Sequence, residues 1–122
     1  MKARILIAED DPAILKLLET NLQVAGYEVV CAEDGAQALD AARAQVFDLA
    51  LLDIMMPGMN GIEVCQRLKS SPSTQNIKII AISGDQGPSL RERVLNAGAD
   101  LFFAKPLDVV AFRQQCFNLL QS

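Results

Sequence analysis

Short apolar runs alternate with amphipathic ones along this chain, and the alternation predicts five strands and five helices. Arg4 to Ala8 reads as the first strand. Pro12 to Ala25 follows as a helix with Ile14, Leu18 and Leu22 on one face; Asp11 suits its cap, Pro12 its first position and Gly26 its close. Tyr27 to Cys31 is a second strand, and Ala36 to Ala44 a helix introduced by Asp34-Gly35. Leu49 to Leu52 is apolar at every position, as expected of a strand covered on both faces. Beyond the Pro57-Gly58 turn, Gly61 to Lys69 is helical, with Ile62, Cys65 and Leu68 inward, and Ser70 to Asn76 is a polar loop. Ile77 to Ile82 is the fourth strand. Ser89 to Ala97 is a helix closed by Gly98, amphipathic through Leu90, Val94 and Ala97. Leu101 to Ala104 is the fifth strand. Leu107 to Leu120 is the last helix, with Val109, Phe112, Cys116 and Leu119 on one face.

Regular strand–helix alternation implies an α/β fold: a parallel sheet with helices on both faces and right-handed crossovers. No internal repeat, low-complexity tract or linker interrupts the pattern, so residues 1–122 are expected to form a single domain.

In an open parallel sheet, functional side chains gather beyond the carboxyl ends of the strands. There the chain carries Glu9-Asp10-Asp11 after the first strand, Asp53 after the third, Ser83-Gly84 after the fourth and Lys105-Pro106 after the fifth. Glu9, Asp10 and Asp53 bring three negative charges and Lys105 one positive. A partly buried crevice with that surplus must take up protons or a divalent cation. Oxygen donors without histidine or cysteine favour magnesium over zinc. An aspartate beside such an ion can act as a nucleophile and form an acyl phosphate, with the ion and Lys105 offsetting the phosphoryl charge. Ser83 and the backbone N–H groups near Met55 and Gly84 are candidate donors, and Gly84 leaves room for approach.

Composition narrows the classes further. With no histidine, the chain has no Ser-His-Asp triad, no His-ligated zinc and no phosphohistidine of its own. A net charge of −4, from 11 basic and 15 acidic residues, argues against direct nucleic-acid binding and a polybasic membrane anchor. No apolar run approaches the roughly 18 residues that span a bilayer, and the stretch after Met1-Lys2-Ala3-Arg4 is too short for a signal peptide. Cys31, Cys65 and Cys116 are odd in number and widely spaced, which points to the reducing cytoplasm.

Four segments in order, Ile5 to Asp11, Leu51 to Gly61, Ile80 to Gly84 and Gly98 to Pro106, together resemble the receiver domain of two-component response regulators, over essentially the whole chain. The resemblance implies a flavodoxin-like (βα)5 fold with strand order 2-1-3-4-5. It implies that Asp53 accepts a phosphoryl group from a partner histidine kinase or histidine phosphotransfer protein. Asp10 would bind Mg2+ directly, Glu9 partly through water, and the Met55 backbone carbonyl would add a ligand. Lys105 would pair with Asp53 or the phosphoryl oxygens, and the Lys105-Pro106 bond would be cis. Pro57 and Gly61 belong to the motif's structural frame. Ser83 would be the switch hydroxyl and Phe102 the aromatic that follows it, remodelling the helix-four, strand-five, helix-five surface that an output partner or domain reads. Such a module catalyses only its own phosphorylation and dephosphorylation, and is a monomer or weak dimer. Met55 and Asp85 flank the route of attacking water at positions that vary in the family, so phosphoryl lifetime is not legible. Leu107 stands where phenylalanine is commoner.

Plainer readings compete at several positions. Asp11 is a helix-start acid. Ser83 as a strand-end hydroxyl, Phe102 as a core residue and Lys105 as a solvated lysine are each self-consistent. Cys65 and Cys116 read as small core residues, and Arg91-Glu92-Arg93 as a solvated face. Among other functions, an aspartyl-phosphate phosphatase would want an acid two residues beyond Asp53, where Met55 stands. An FMN carrier would want a hydroxyl- and glycine-rich loop where Glu9-Asp10-Asp11 would repel phosphate. A receiver-shaped scaffold that takes no phosphate would not need the complete set of acids, serine and lysine.

Overall fold

Five strands and five helices alternate: β1 (Arg4–Ala8), α1 (Pro12–Val24), β2 (Glu28–Ala32), α2 (Gly35–Ala44), β3 (Leu49–Asp53), α3 (Gly61–Ser70), β4 (Lys78–Ser83), α4 (Pro88–Asn96), β5 (Leu101–Ala104) and α5 (Val109–Gln121). The structure is a computed structural model that describes residues 2–84 and 87–121. All four strand pairings are parallel, and the order across the sheet is β2-β1-β3-β4-β5, as expected.

Strand alternation divides the core in two. Ile5 and Ile7, Leu49 and Leu51, and Ile80 and Ile82 pack with Leu18 and Leu22 of α1 and with Phe112 and Cys116 of α5. The intervening Leu6 and Ala8, Ala50 and Leu52, and Ile79 and Ala81 pack with Ala38 and Leu39 of α2, Val64, Cys65 and Leu68 of α3, and Leu90 and Val94 of α4. A strand sandwiched this way needs apolar side chains at every position, which is why β3 shows no polar alternation. Ile14 and Leu119 pack at the margin, half-buried. Cys65 and Cys116 are buried as expected, Cys31 is exposed, and all three are free thiols.

Element ends depart from the sequence reading by a residue or two, each for a local reason. β2 is displaced one residue onward, because its ladder with β1 pairs Arg4 with Glu28 and Ala8 with Ala32. α2 starts at Gly35 because the Asp34 carboxylate accepts from Gln37 N–H at 2.8 Å. α5 starts at Val109, not Leu107: the Asp108 carboxylate accepts from Val110 and Ala111 N–H, making Asp108 the cap. β4 runs Lys78–Ser83 in register with β3, so Ser83 belongs to the ladder itself. Asp11 caps α1 as expected, accepting from Ala13 N–H at 2.9 Å.

Leu22, in the last turn of α1, lies at the opposite edge of the sheet from the strands' carboxyl ends and is fully buried. Leu22→Ala is expected to destabilise the fold by about 3 kcal/mol through lost burial and a residual cavity. Urea unfolding followed by circular dichroism measures this, and a loss below about 1 kcal/mol would contradict the assigned packing.

Candidate functional site

β1 and β3 are neighbours whose register sets Ile7 against Leu51 and Ala8 against Leu52, so one step further Glu9 falls beside Asp53. Side-chain parity then selects what converges. Ile5 and Ile7, Leu49 and Leu51, and Leu101 and Phe103 share the α1–α5 face. The next residue of that parity at the end of each strand is Glu9, Asp53 or Lys105. Lys105 spans the width of β4 to reach both acids: its Nζ lies 3.0 Å from Glu9 Oε1 and 3.3 Å from Asp53 Oδ2. Glu9 is 1% exposed and Asp53 3%.

Backbone groups fix the two carboxylates. Asp11 N–H donates to Glu9 Oε2 at 3.2 Å, and Met55 N–H donates to Asp53 Oδ1 at 3.1 Å. Asp11 therefore serves twice, capping α1 with its side chain and orienting Glu9 with its amide. Asp10 is exposed at the mouth of the crevice. Glu9, Asp10 and Asp53 each offer an oxygen within 4.8 Å of the other two.

The electrostatics follow from burial. Desolvation, reinforced by a hydrogen bond with Asp53, pushes Glu9 up to about 7, against the opposing pull of Lys105. Burial also works against ionised Asp53, but the hydrogen bond with Glu9, the Met55 amide and Lys105 outweigh it and hold its carboxyl below the usual value. Lys105 is raised: its desolvation is outweighed by the two acids. Among the described residues, Glu9 Oε1 meets Lys105 as an ion pair without an aligned hydrogen bond, leaving a buried oxygen with lone pairs to offer. Three clustered carboxylates, an all-oxygen donor set and one under-used buried oxygen fit a hard divalent cation such as Mg2+.

Around this centre, the β4–β5 ladder closes with Lys105 N–H donating to the Ser83 carbonyl at 2.9 Å. Ser83 is fully buried and follows Ile79 and Ala81 in parity, placing it toward the α2–α4 layer. Phe102 packs at the margin of that same core, with the Arg91 guanidinium 5.9 Å from its ring centre. Arg91 is thus more than a solvated charge, a contact that a run of Arg-Glu-Arg does not signal. The Lys105–Pro106 bond is cis, as expected. Pro57 is exposed in the β3–α3 segment, and Met55 turns a side chain that is 62% exposed to solvent. A Cβ on Gly61 would lie 2.6 Å from the Asp53 carbonyl oxygen, so only glycine lets α3 start directly against the Asp53 backbone. Among the described residues, nothing lies within 4 Å of where a Cβ on Gly84 would point. Asp85, flanking the route of water in the sequence reading, lies outside the described residues. No described helix is long and apolar enough to cross a membrane.

Comparison with known proteins agrees along the chain. The response regulator receiver domain profile matches residues 5–116. Response regulator PleD of Caulobacter vibrioides is 44% identical over 110 residues, which make up 90% of this chain and 24% of PleD. The uncharacterized transcriptional regulatory protein YrkP of Bacillus subtilis is 42% identical over 106 residues, 87% of this chain and 44% of YrkP. The chain thus spans about a quarter of the length of PleD and less than half that of YrkP. The CheY-like response regulator receiver domain protein of Methanospirillum hungatei superposes with a TM-score of 0.94 at 31% identity, covering 99% of this chain and 95% of the other. Vibrio cholerae chemotaxis protein CheY4 superposes with a TM-score of 0.92 at 26% identity, covering 98% and 99%. With the fold, the strand order and the acidic crevice all in agreement with these matches, the chain belongs to the response regulator receiver domain family.

Proposed function

We propose that this chain is a phosphorylation-dependent signalling switch that accepts a phosphoryl group on Asp53. The observation that carries the reading is the buried Glu9–Asp53–Lys105 contact, with Asp10 completing a three-carboxylate cluster. The donor is a partner histidine kinase or histidine phosphotransfer protein, since the chain itself has no histidine. Glu9, Asp10, Asp53 and the Met55 backbone carbonyl hold Mg2+, which when bound supplies charge neutralisation for the phosphoryl oxygens.

The chain's own residues do the rest. Asp53 stays ionised, so one of its oxygens can attack phosphorus. An O–P bond forms as the P–N bond of the partner's phosphohistidine breaks, and the bonding pair returns to the imidazole nitrogen. Met55 N–H aims the Asp53 carboxylate by holding Oδ1, while Lys105 neutralises charge from the Oδ2 side. Hydrolysis reverses the bond: a water oxygen attacks phosphorus and the carboxylate leaves, so the chain turns over only its own phosphate. Ser83 donates its hydroxyl to the phosphoryl group and Phe102 follows inward, changing the α4–β5–α5 surface that an output partner or domain reads. The half-buried setting of Phe102 supports this, because a side chain at the core's margin has somewhere to go. The process belongs in the cytoplasm, and the module acts as a monomer or weak dimer.

Asp53→Asn should abolish Mg2+-dependent labelling by acetyl phosphate, read by intact-protein mass spectrometry as loss of the phosphate adduct. A full adduct on the variant would sink the assignment. Mg2+ should raise the melting temperature of the wild type, by an amount that corresponds to about 2.7 kcal/mol at a hundredfold excess over Kd. Asp10→Asn should lose most of that shift. Lys105→Met should behave oppositely at the two steps. With one positive charge removed it should bind Mg2+ at least as tightly in calorimetric titration, yet its labelling rate should fall about a hundredfold or more. Weaker Mg2+ binding by this variant would contradict the charge argument.

A further inference from the structure

The segment 54–60, between the acceptor strand and α3, is tied down at both ends. Gly61 N–H donates to the Ile54 carbonyl at 3.1 Å, and the Asn60 side chain caps α3 by accepting from Glu63 N–H at 3.0 Å. Its middle leans on a third element that forms no part of the acidic crevice. Gly35, the first residue of α2, is buried against it. A Cβ built on Gly35 would stand 2.6 Å from the Met59 carbonyl oxygen, 2.9 Å from Val64 Cγ2 and 3.1 Å from Met59 Cβ. None of these is the loose end of a flexible side chain. The first is backbone, and the second belongs to a fully buried β-branched residue of the core.

We propose that Gly35 is a positioning residue for the acceptor site: its missing side chain sets how closely the 54–60 segment seats, and hence how Met55 is held against Asp53. α2 is itself anchored, through the Asp34 cap and through Gln37, whose side-chain oxygen accepts from Glu33 N–H at 2.9 Å. Ala38 and Leu39 fix its inner face in the core. The start of α2 therefore yields less readily than the segment it touches. Adding a methyl group at Gly35 displaces the Met59 carbonyl outward, and the displacement runs along the chain to Met55, whose amide orients Asp53 Oδ1. The consequence for Mg2+ rests on the acceptor function proposed above.

The test compares Gly35→Ala with Leu22→Ala, which disturbs the core at the far edge of the sheet. In metal-free protein, the Met55 amide resonance in 1H–15N spectra should shift in Gly35→Ala and stay in place in Leu22→Ala. In calorimetric titration with MgCl2, Gly35→Ala should weaken binding about tenfold, the scale of a misplaced outer-shell partner. Leu22→Ala should match the wild type within a factor of two, although it lowers the melting temperature at least as much. Should Gly35→Ala fail to fold, the double variant Gly35→Ala/Val64→Ala, which removes the 2.9 Å neighbour and keeps the Met59 collision, takes its place. An unmoved Met55 resonance together with wild-type Mg2+ affinity overturns the role of Gly35. Absence of Mg2+ binding by the wild type overturns the acceptor reading instead, and the metal-free Met55 resonance then decides the role of Gly35 by itself.

Discussion

Two carboxylates, Glu9 and Asp53, sit almost wholly out of water beside one lysine, and the rest of the site is arranged around that burial. Like charges at this range in a low dielectric cannot both ionise freely. Lys105 relieves part of the repulsion, the Asp11 and Met55 amides relieve more, and Glu9 absorbs the remainder by holding its proton to about 7. Replacing such a cluster by apolar residues is often neutral or favourable for stability, so stability alone is weak grounds for it. Its value lies in being poised. A centre with surplus negative charge and an under-bonded buried oxygen takes up positive charge, and within it Asp53 is held below its ordinary value while Glu9 is pushed above its own.

The sheet topology creates the convergence. With order β2-β1-β3-β4-β5, the chain reverses its direction of growth between β1 and β3, so their carboxyl ends adjoin while their helices leave on opposite faces. The register then matters as much as the order. A slip of one residue between β1 and β3 would turn Glu9 or Asp53 toward the other layer and separate the acids. The apolar runs of β1, β3 and β4 hold the register, because every residue on both faces is buried and no alternative pairing keeps them all covered.

Much of this was legible in the sequence, since it depends on side-chain type and period. Apolar runs that end abruptly in acid, serine or lysine mark strand termini, and four such termini in a parallel sheet define one edge. Glu9, Asp10, Asp53 and Lys105 were readable for that reason, and the structure brings all four together. The element ends were less legible because they are decided by single hydrogen bonds. Asp108 caps α5 so that it starts at Val109 rather than Leu107, and the β1–β2 ladder starts β2 one residue late. Backbone N–H groups near Met55 and Gly84 were readable as donors, but the partners of backbone contacts were not. Nothing in the letters shows that Asp11 N–H reaches Glu9, that Met55 N–H reaches Asp53, or that Gly35 faces the Met59 carbonyl. Glycine after a capping aspartate is explained locally by the helix start, which hides a long-range reason for the same residue. Arg91 was equally hidden, because a contact with Phe102 depends on where α4 lies over β5.

Parity also separates the two halves of the proposed switch. Glu9, Asp53 and Lys105 continue the α1–α5 face, whereas Ser83 and Phe102 continue the face covered by α2, α3 and α4. A change of charge at Asp53 therefore has to cross the sheet to be felt at α4. The crossing point is the end of the β4–β5 ladder, where Lys105 N–H binds the Ser83 carbonyl, so a residue of one face is tied to a residue of the other through a single peptide contact. Ser83 is fully buried, so its hydroxyl cannot turn toward Asp53 without its neighbours yielding. Phe102, half-buried beneath Arg91, lies on the same face as Ser83. A tightly packed interior passes on discrete rearrangements more readily than gradual ones. On the function proposed above, chemistry on one face and a half-buried aromatic on the other would leave the crevice in place while the α4–β5 surface changes.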